Sequence, residues 1–315
     1  MKHVIIDTDP GVDDALALML ALSSPELSIE AVTTVVGNVS QEKAQRNTLK
    51  ILEFLGACDI PVARGAIKPI RKNARDSTII HGETGLGEAI LPEPELKTDE
   101  RSALKLTLEK VEELGNELGL IALGPLTNIA SAIVAEPAVV EEGVELVMMG
   151  GAFNVTPYGH GNVTSVAEFN IWHDPDAAKV VFTSGMKVTA IGLDVTTQPA
   201  NRISKARFEE IERLGTGRSW LVADLCRSIV KRYGGMSLHD PLAVAAALDP
   251  SLVETRQFIV DVETVGEVTL GQTVADRRDP RRIRSRRKPN VDVCVSADYE
   301  RFFKLFMDRV IQGEV

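Results

Sequence analysis

The chain alternates short apolar runs with longer stretches in which apolar residues recur every three or four positions. Val4–Ile6 and Ile29–Val36 read as strands, and Asp14–Leu22 and Gln41–Leu55 as the helices that follow them. Leu120–Leu123, Glu145–Met149 and Val188–Leu193 are further predicted strands, with Leu126–Ala135 and Pro175–Ser184 as helices. The strand runs are continuously apolar, as expected of strands covered on both faces. Such alternation predicts an α/β fold with a mainly parallel central sheet flanked by helices, open and Rossmann-like. After about Ile203, helices are expected to dominate up to Leu248. Phe258–Val265 and Val291–Val295 then read as strands, and Tyr299–Ile311 as a closing helix. No repeat, low-complexity block or linker interrupts the pattern, so residues 1–315 are expected to form one domain.

Composition narrows the function. The hydrophobic fraction is 44%, ample for a large core, and the formal net charge is −10. An acidic chain lacks the basic footprint that nucleic acid requires. The local exception is Arg277, Arg278, Arg281, Arg282, Arg284, Arg286, Arg287 and Lys288, read as a solvated loop, with an anion-binding edge or subunit contact as alternatives. Three dispersed cysteines, Cys58, Cys226 and Cys294, form neither a disulfide framework nor a zinc pattern and fit a reducing cytoplasm. The N-terminal apolar run meets acid by Asp7, unlike a signal peptide, and no stretch is long and apolar enough to span a membrane.

In open parallel sheets, ligands bind beyond the carboxyl ends of the strands, so polar residues just after each run are the candidates. The first strand ends in Asp7-Thr8-Asp9-Pro10-Gly11-Val12-Asp13-Asp14. Helix capping explains one or two of these carboxylates, not four. A hard cation, Ca²⁺ or Mg²⁺, would relieve their repulsion. Asn38, after the second strand, suits a sugar hydroxyl but is equally an ordinary Gly-Asn turn. In Gly124–Asn128 a carbonyl is a candidate metal ligand, and a Thr or Asn helix cap is the alternative. Met148-Met149 reads first as core filling, with a ribose contact as the minor alternative. The stretch that includes Gly159-His160-Gly161-Asn162 reads as a long loop, a natural lid or rim. The loop leads to Glu168-Phe169-Asn170, whose polar side chains are expected to share one side of an extended segment. His173-Asp174-Pro175 and His239-Asp240-Pro241 both carry a helix-start signal, with Asp as the expected cap. Either histidine could also be an acid beside a metal ligand, and His81 is similarly ambiguous.

Together these segments resemble the inosine–uridine-preferring nucleoside hydrolases, from Val4 to the C-terminal helix. The resemblance rests on Asp7–Asp14, supported by Thr33–Asn38, His81–Gly87, Gly124–Ala130, Met148–Gly151, Glu168–Asn170 and His239–Pro241. It implies hydrolysis of the bond between base and ribose. One Ca²⁺ would be held by Asp9, Asp14, Asp240 and the Thr127 carbonyl, and Asp9 would be the base that deprotonates water. Asp13, Asn38 and Asn170 would bind the 2′- and 3′-hydroxyls, and Asn162 and Glu168 the 5′-hydroxyl. Met149 would line the ribose pocket. His81 and His239 would face the base, with His239 as candidate acid, and His173 would only start a helix. The resemblance also implies a homotetramer or homodimer acting on a small-molecule nucleoside. One departure is that Asp224–Lys231 carries none of the aromatics that relatives often place there, and Tyr233 is the nearest; another is the loop Ala152–Gly161, longer than in some relatives, where Tyr158 or His160 could supply base contacts. Two other readings are a haloacid-dehalogenase-type phosphatase, which shares Asp-x-Asp after a strand, and a ribose-binding module without catalysis. The additional carboxylates fit sugar hydroxyls better than phosphate.

Overall fold

The computed structural model describes residues 1–71, 78–279 and 287–313. The elements run β1 (Lys2–Thr8), α1 (Val12–Leu22), β2 (Leu27–Thr34), α2 (Gln41–Phe54), β3 (Val62–Arg64), α3 (Thr78–His81), α4 (Ala103–Leu114), β4 (Leu118–Ala122), α5 (Thr127–Ala135), α6 (Ala138–Glu141) and β5 (Glu145–Met149). They continue α7 (Phe169–His173), α8 (Pro175–Thr183), β6 (Lys187–Ile191), α9 (Leu193–Thr196), β7 (Arg202–Ser204), α10 (Lys205–Leu214), α11 (Gly217–Tyr233), β8 (Gly235–Ser237) and α12 (His239–Leu248). Last come β9 (Val253–Phe258), β10 (Val260–Val262), β11 (Thr273–Ala275), β12 (Val291–Ala297) and α13 (Tyr299–Phe306), which runs on as a π-helical turn, Met307–Ile311.

Eight strands form one sheet in the order β3-β2-β1-β4-β5-β6-β12-β9. All pairings are parallel except β12 with β9, which closes one edge antiparallel. The strands are buried on both faces: Val4 and Ile6 of β1 enter one apolar cluster and Ile5 the other. Helix α1 is apolar all round and buried throughout, packed against the equally buried α12. The opposite face is covered by α4, α5 and α8. This is the predicted α/β architecture.

The order reverses between β1 and β4, the strands on either side of the switch point. There the two connections leave on opposite sides and open a crevice at the strand ends. Asp7–Asp14 and Leu123–Thr127 both emerge there.

Several local expectations change. Glu168–Asn170 is not extended. Glu168 caps α7, accepting from the Asn170 and Ile171 amides, and Asn170 lies inside the helix. The run Phe258–Val265 is not one strand. β9 ends at Phe258, and β10 pairs with β11 in a separate two-stranded sheet. The helical stretch after Ile203 is flanked by two short strands, β7 and β8, paired antiparallel. Of the basic cluster, Arg281, Arg282, Arg284 and Arg286 lie outside the described residues. Arg277 donates to the Asn154 carbonyl, Arg278 pairs with Asp276, and Arg287 with Asp261. The three cysteines are free. Among the described residues no helix is long and apolar enough to cross a membrane.

Candidate active site

A pocket of about 450 Å³ opens at the switch point. Of the residues singled out from sequence, Asp13, Asn38, His81, Met149, Asn162, Glu168, Asn170, His239 and Asp240 line it. Asp9 and Asp14 are not among the lining residues but lie fully buried behind Asn38, which bonds both. His173, Tyr158 and His160 are not among the lining residues. His160 lies instead by a small separate cavity with Phe153 and Thr273.

The first turn after β1 is organised by Asp14. Its Oδ1 accepts from the Thr8 hydroxyl at 2.6 Å and the Asp9 amide at 3.2 Å. Its Oδ2 accepts from the Gly11 amide at 3.0 Å and Asn38 Nδ2 at 2.9 Å. Asp9 Oδ2 accepts from the Asn38 amide at 2.5 Å, while its Oδ1 is buried without a partner. Gly37 and Gly124 make room for this carboxylate, since a Cβ on either would collide with it.

Asp13 plays an unexpected part. Asp240 does not cap α12: it lies within the first turn, and the cap position, Leu238, offers no side-chain bond. Asp13 Oδ2 supplies the acceptor from outside, receiving the His239 and Asp240 amides at 2.9 and 3.0 Å. Its Oδ1 is left unpaired. Asp240, freed from capping, accepts no side-chain hydrogen bond among the described residues and lies at the pocket. Asp174 does cap its helix, through the Ala177 amide, and also receives the Thr127 hydroxyl and the Ile70 amide.

Six buried acids, Asp7, Asp9, Asp13, Asp14, Glu168 and Asp240, gather in and around the site. Burial, then the Asp14 charge, lifts Asp9 well above the usual carboxylate range. The same two causes, with Asp13 and Asp9 adding, raise Asp240. Burial pushes Asp13 up to about 8 and Asp7 to about 7, and raises Glu168. Burial also depresses both histidines to about 4, with His81 adding to the effect on His239. Both rings are therefore neutral near pH 7. His81 Nδ1 accepts the Val12 amide at 3.1 Å, which leaves its proton on Nε2. His239 Nδ1 lies 2.8 Å from the Thr196 hydroxyl.

The Thr127 carbonyl, expected as a ligand, is not brought to the pocket. The Thr127 carbonyl accepts Ser131 Oγ inside α5, and Thr127 does not line the pocket. Leu123, the last residue before the turn, does line it, and its carbonyl receives Asn170 Nδ2 at 2.7 Å. Asn128 is not a cap either. It donates to Asp7 Oδ1 and the Thr34 carbonyl and accepts the Ala66 amide, tying β1 and β2 to the loop after β3.

Unpartnered oxygens on Asp9 and Asp13, and a buried Asp240 without a donor, are what a hard cation would satisfy. The donor chemistry thus fits. Both Asp14 oxygens are engaged by protein donors, and among the described residues no three His, Cys, Asp or Glu side chains close into a metal shell. The sequence reading missed Thr196, Arg202 and Leu123. Thr196 and Arg202 stand in no motif read from the sequence, and Leu123 was read only as the end of the strand that precedes Gly124.

The family model described as inosine-uridine preferring nucleoside hydrolase matches residues 4–304. Uridine nucleosidase 1 of Arabidopsis thaliana is 41% identical over 88% of this chain and 83% of its own length. The inosine-uridine preferring nucleoside hydrolase of Crithidia fasciculata is 38% identical over 98% and 96%. The solved purine-preferring ribonucleoside hydrolase from Gardnerella vaginalis superposes with a TM-score of 0.88 at 36% identity, covering 99% of this chain and 98% of that one. Built on the same fold, with its acidic pocket at the switch point, the chain belongs to the inosine-uridine preferring nucleoside hydrolase family and hydrolyses ribonucleosides.

Proposed function

We propose that Asp9 takes the proton from the water that attacks C1′ of the ribose, and that a Ca²⁺ ion sits beside it. The observation that carries this reading is the enclosure of Asp9 between Gly37 and Gly124, with Oδ1 unpaired and Asp13, Asp14 and Asp240 around it. Asp9, Asp14 and Asp240 would hold the cation, with the Leu123 carbonyl in the place expected of Thr127. Bound there, Ca²⁺ would acidify a water and orient the ribose diol.

The remaining work falls to the chain's own residues. Asp13 Oδ1, Asn38 and Asn170 accept from or donate to the 2′- and 3′-hydroxyls. Asn162 and Glu168 hold the 5′-hydroxyl, and Met149 packs on the ribose. Three backbone amides, those of Gly151, Asn170 and Ile171, hold Glu168 rigid. As the glycosidic bond stretches, the sugar gains positive charge, and the surrounding carboxylates stabilise it. The base leaves with the bonding pair, the water oxygen bonds C1′, and Asp9 receives the water proton. A deoxyribose would leave buried acceptors unpaired and be rejected.

Metal removal tests this. Chelation followed by dialysis should abolish release of ribose from uridine or inosine, and Ca²⁺ should restore it. Full turnover by the stripped protein would eliminate the cation from the reading.

A further inference from the structure

Arg202, the first residue of β7, lines the pocket beside Ile229, Tyr233, Gly235 and Met236. Its Nη2 donates to the Tyr233 and Gly235 carbonyls at 3.3 and 2.9 Å. Its Nε is enclosed without an acceptor. Among the described residues Nη1 has no hydrogen bond, and no carboxylate pairs with the guanidinium. Carbonyls at the end of a helix such as α11 attract a cation, which accounts for Nη2 alone. A guanidinium carries five N–H donors, and among the described residues only those of Nη2 find protein acceptors. A half-buried cation without a counter-charge is costly unless a ligand supplies the acceptor.

The ligand atom follows from the layout of the pocket. The ribose groups meet the carboxylates and amides of Asp13, Asn38, Glu168, Asn170 and Asp240, with none of which Arg202 bonds. Its wall is β7 and β8 with Tyr233 and Met236, the side left for the base. Resting on the reading that this pocket cleaves ribonucleosides, we propose that Arg202 recognises the base. Its guanidinium donates to the carbonyl on the edge away from the ribose, O4 of uracil or O6 of hypoxanthine.

This contact also contributes to the reaction. When the glycosidic bond breaks, the electron pair stays on the base nitrogen and spreads in part onto that carbonyl oxygen. A fixed cation therefore binds the departing base more tightly than the intact nucleoside. It offers leaving-group stabilisation in a site where the Asp224–Lys231 stretch of α11 carries no aromatic. Cytidine and adenosine carry an amino group at the same edge, a donor set against a donor, and are disfavoured.

The test compares wild type, Arg202→Met and Arg202→Lys on uridine, cytidine, inosine, adenosine and purine riboside, which has no 6-oxygen. Arg202→Met should lose about 10–100-fold in kcat/KM on uridine and inosine, the range for a hydrogen bond to a charged group. Purine riboside should be nearly unaffected, so the preference for oxo over amino bases falls. Arg202→Lys keeps a cation for the two carbonyls and should fall between. The preference is a ratio within one preparation, so loss of folded protein does not alter it. An unchanged oxo-to-amino ratio in Arg202→Met, or equal losses on all five substrates, would overturn the assignment. A wild type that cleaves none of the five would instead overturn the reading on which it rests.

Discussion

His239 owes its chemistry to a neighbour the sequence does not advertise. Thr196, fully buried in α9, sets its hydroxyl 2.8 Å from His239 Nδ1, and a hydroxyl that donates there leaves the ring proton on Nε2. A neutral ring with its proton on that nitrogen can donate to the base as it leaves. Thr196→Val removes the donor, whereas Thr196→Ser retains it. The valine variant should lose about 10–100-fold in kcat on uridine or inosine, up to the lower end of the roughly 10²–10⁴-fold that general acid catalysis contributes. It should spare p-nitrophenyl riboside, whose leaving group needs no proton, and the serine variant should recover most of the rate. Equal losses on both kinds of substrate would reduce Thr196 to packing. At this scale the sequence marked the acidic residues well, because four carboxylates after a buried strand have few structural excuses. Thr196 and Arg202 carried no such mark. The resemblance named the Thr127 carbonyl, and the sequence of that turn does not show that Leu123, not Thr127, lines the pocket.

Elements were legible in proportion to their burial and length. β5, spanning Glu145–Met149, was read with its bounds, and α1, α2, α5 and α8 to within two residues, because long or fully buried segments have strong patterns. Three-residue strands such as β3, β7 and β8 leave no periodicity to detect. Helix α4 went unread although Ser102 caps it through the Lys105 amide. Its attachment to the sheet centres on Glu30 of β2, which bonds His3 of β1 at 2.7 Å and Lys110 of α4 at 2.9 Å. The His3 bond, with help from Lys110 and Ser28, holds the Glu30 carboxyl down at about 2. A depressed glutamate stabilises the fold fully above its unfolded value, near 4.5, and loses that contribution as pH falls towards 2. Glu30→Gln should therefore lower the melting temperature relative to wild type at pH 7, and the gap should narrow at pH 3. A gap that stays constant between those pH values would show that the carboxylate charge contributes nothing.

At the scale of the molecule, the switch between β1 and β4 gathers residues from distant stretches of chain at one rim of the sheet. Strand–helix alternation was enough to predict that rim as the place for chemistry. The antiparallel β9 at the far edge and the separate β10–β11 sheet were not foreseen. A continuous apolar run does not show where a strand leaves one sheet for another. The bond from Asp13 to the amides of His239 and Asp240 spans 226 and 227 positions, and it has a kinetic side. Closing so long a loop is slow, and His239 and Asp240 do not reach the pocket until it closes. On the ribosome, the first strands and α1 can collapse early, yet no nascent chain shorter than the end of α12 can turn over a nucleoside. In refolding from denaturant, helical signal should return ahead of activity, and activity should track the slowest phase. Activity recovered in step with the first helical signal would mean that the two ends of the chain meet at the outset of folding. Otherwise the enzyme's own turnover serves as a clock for the last event of its folding.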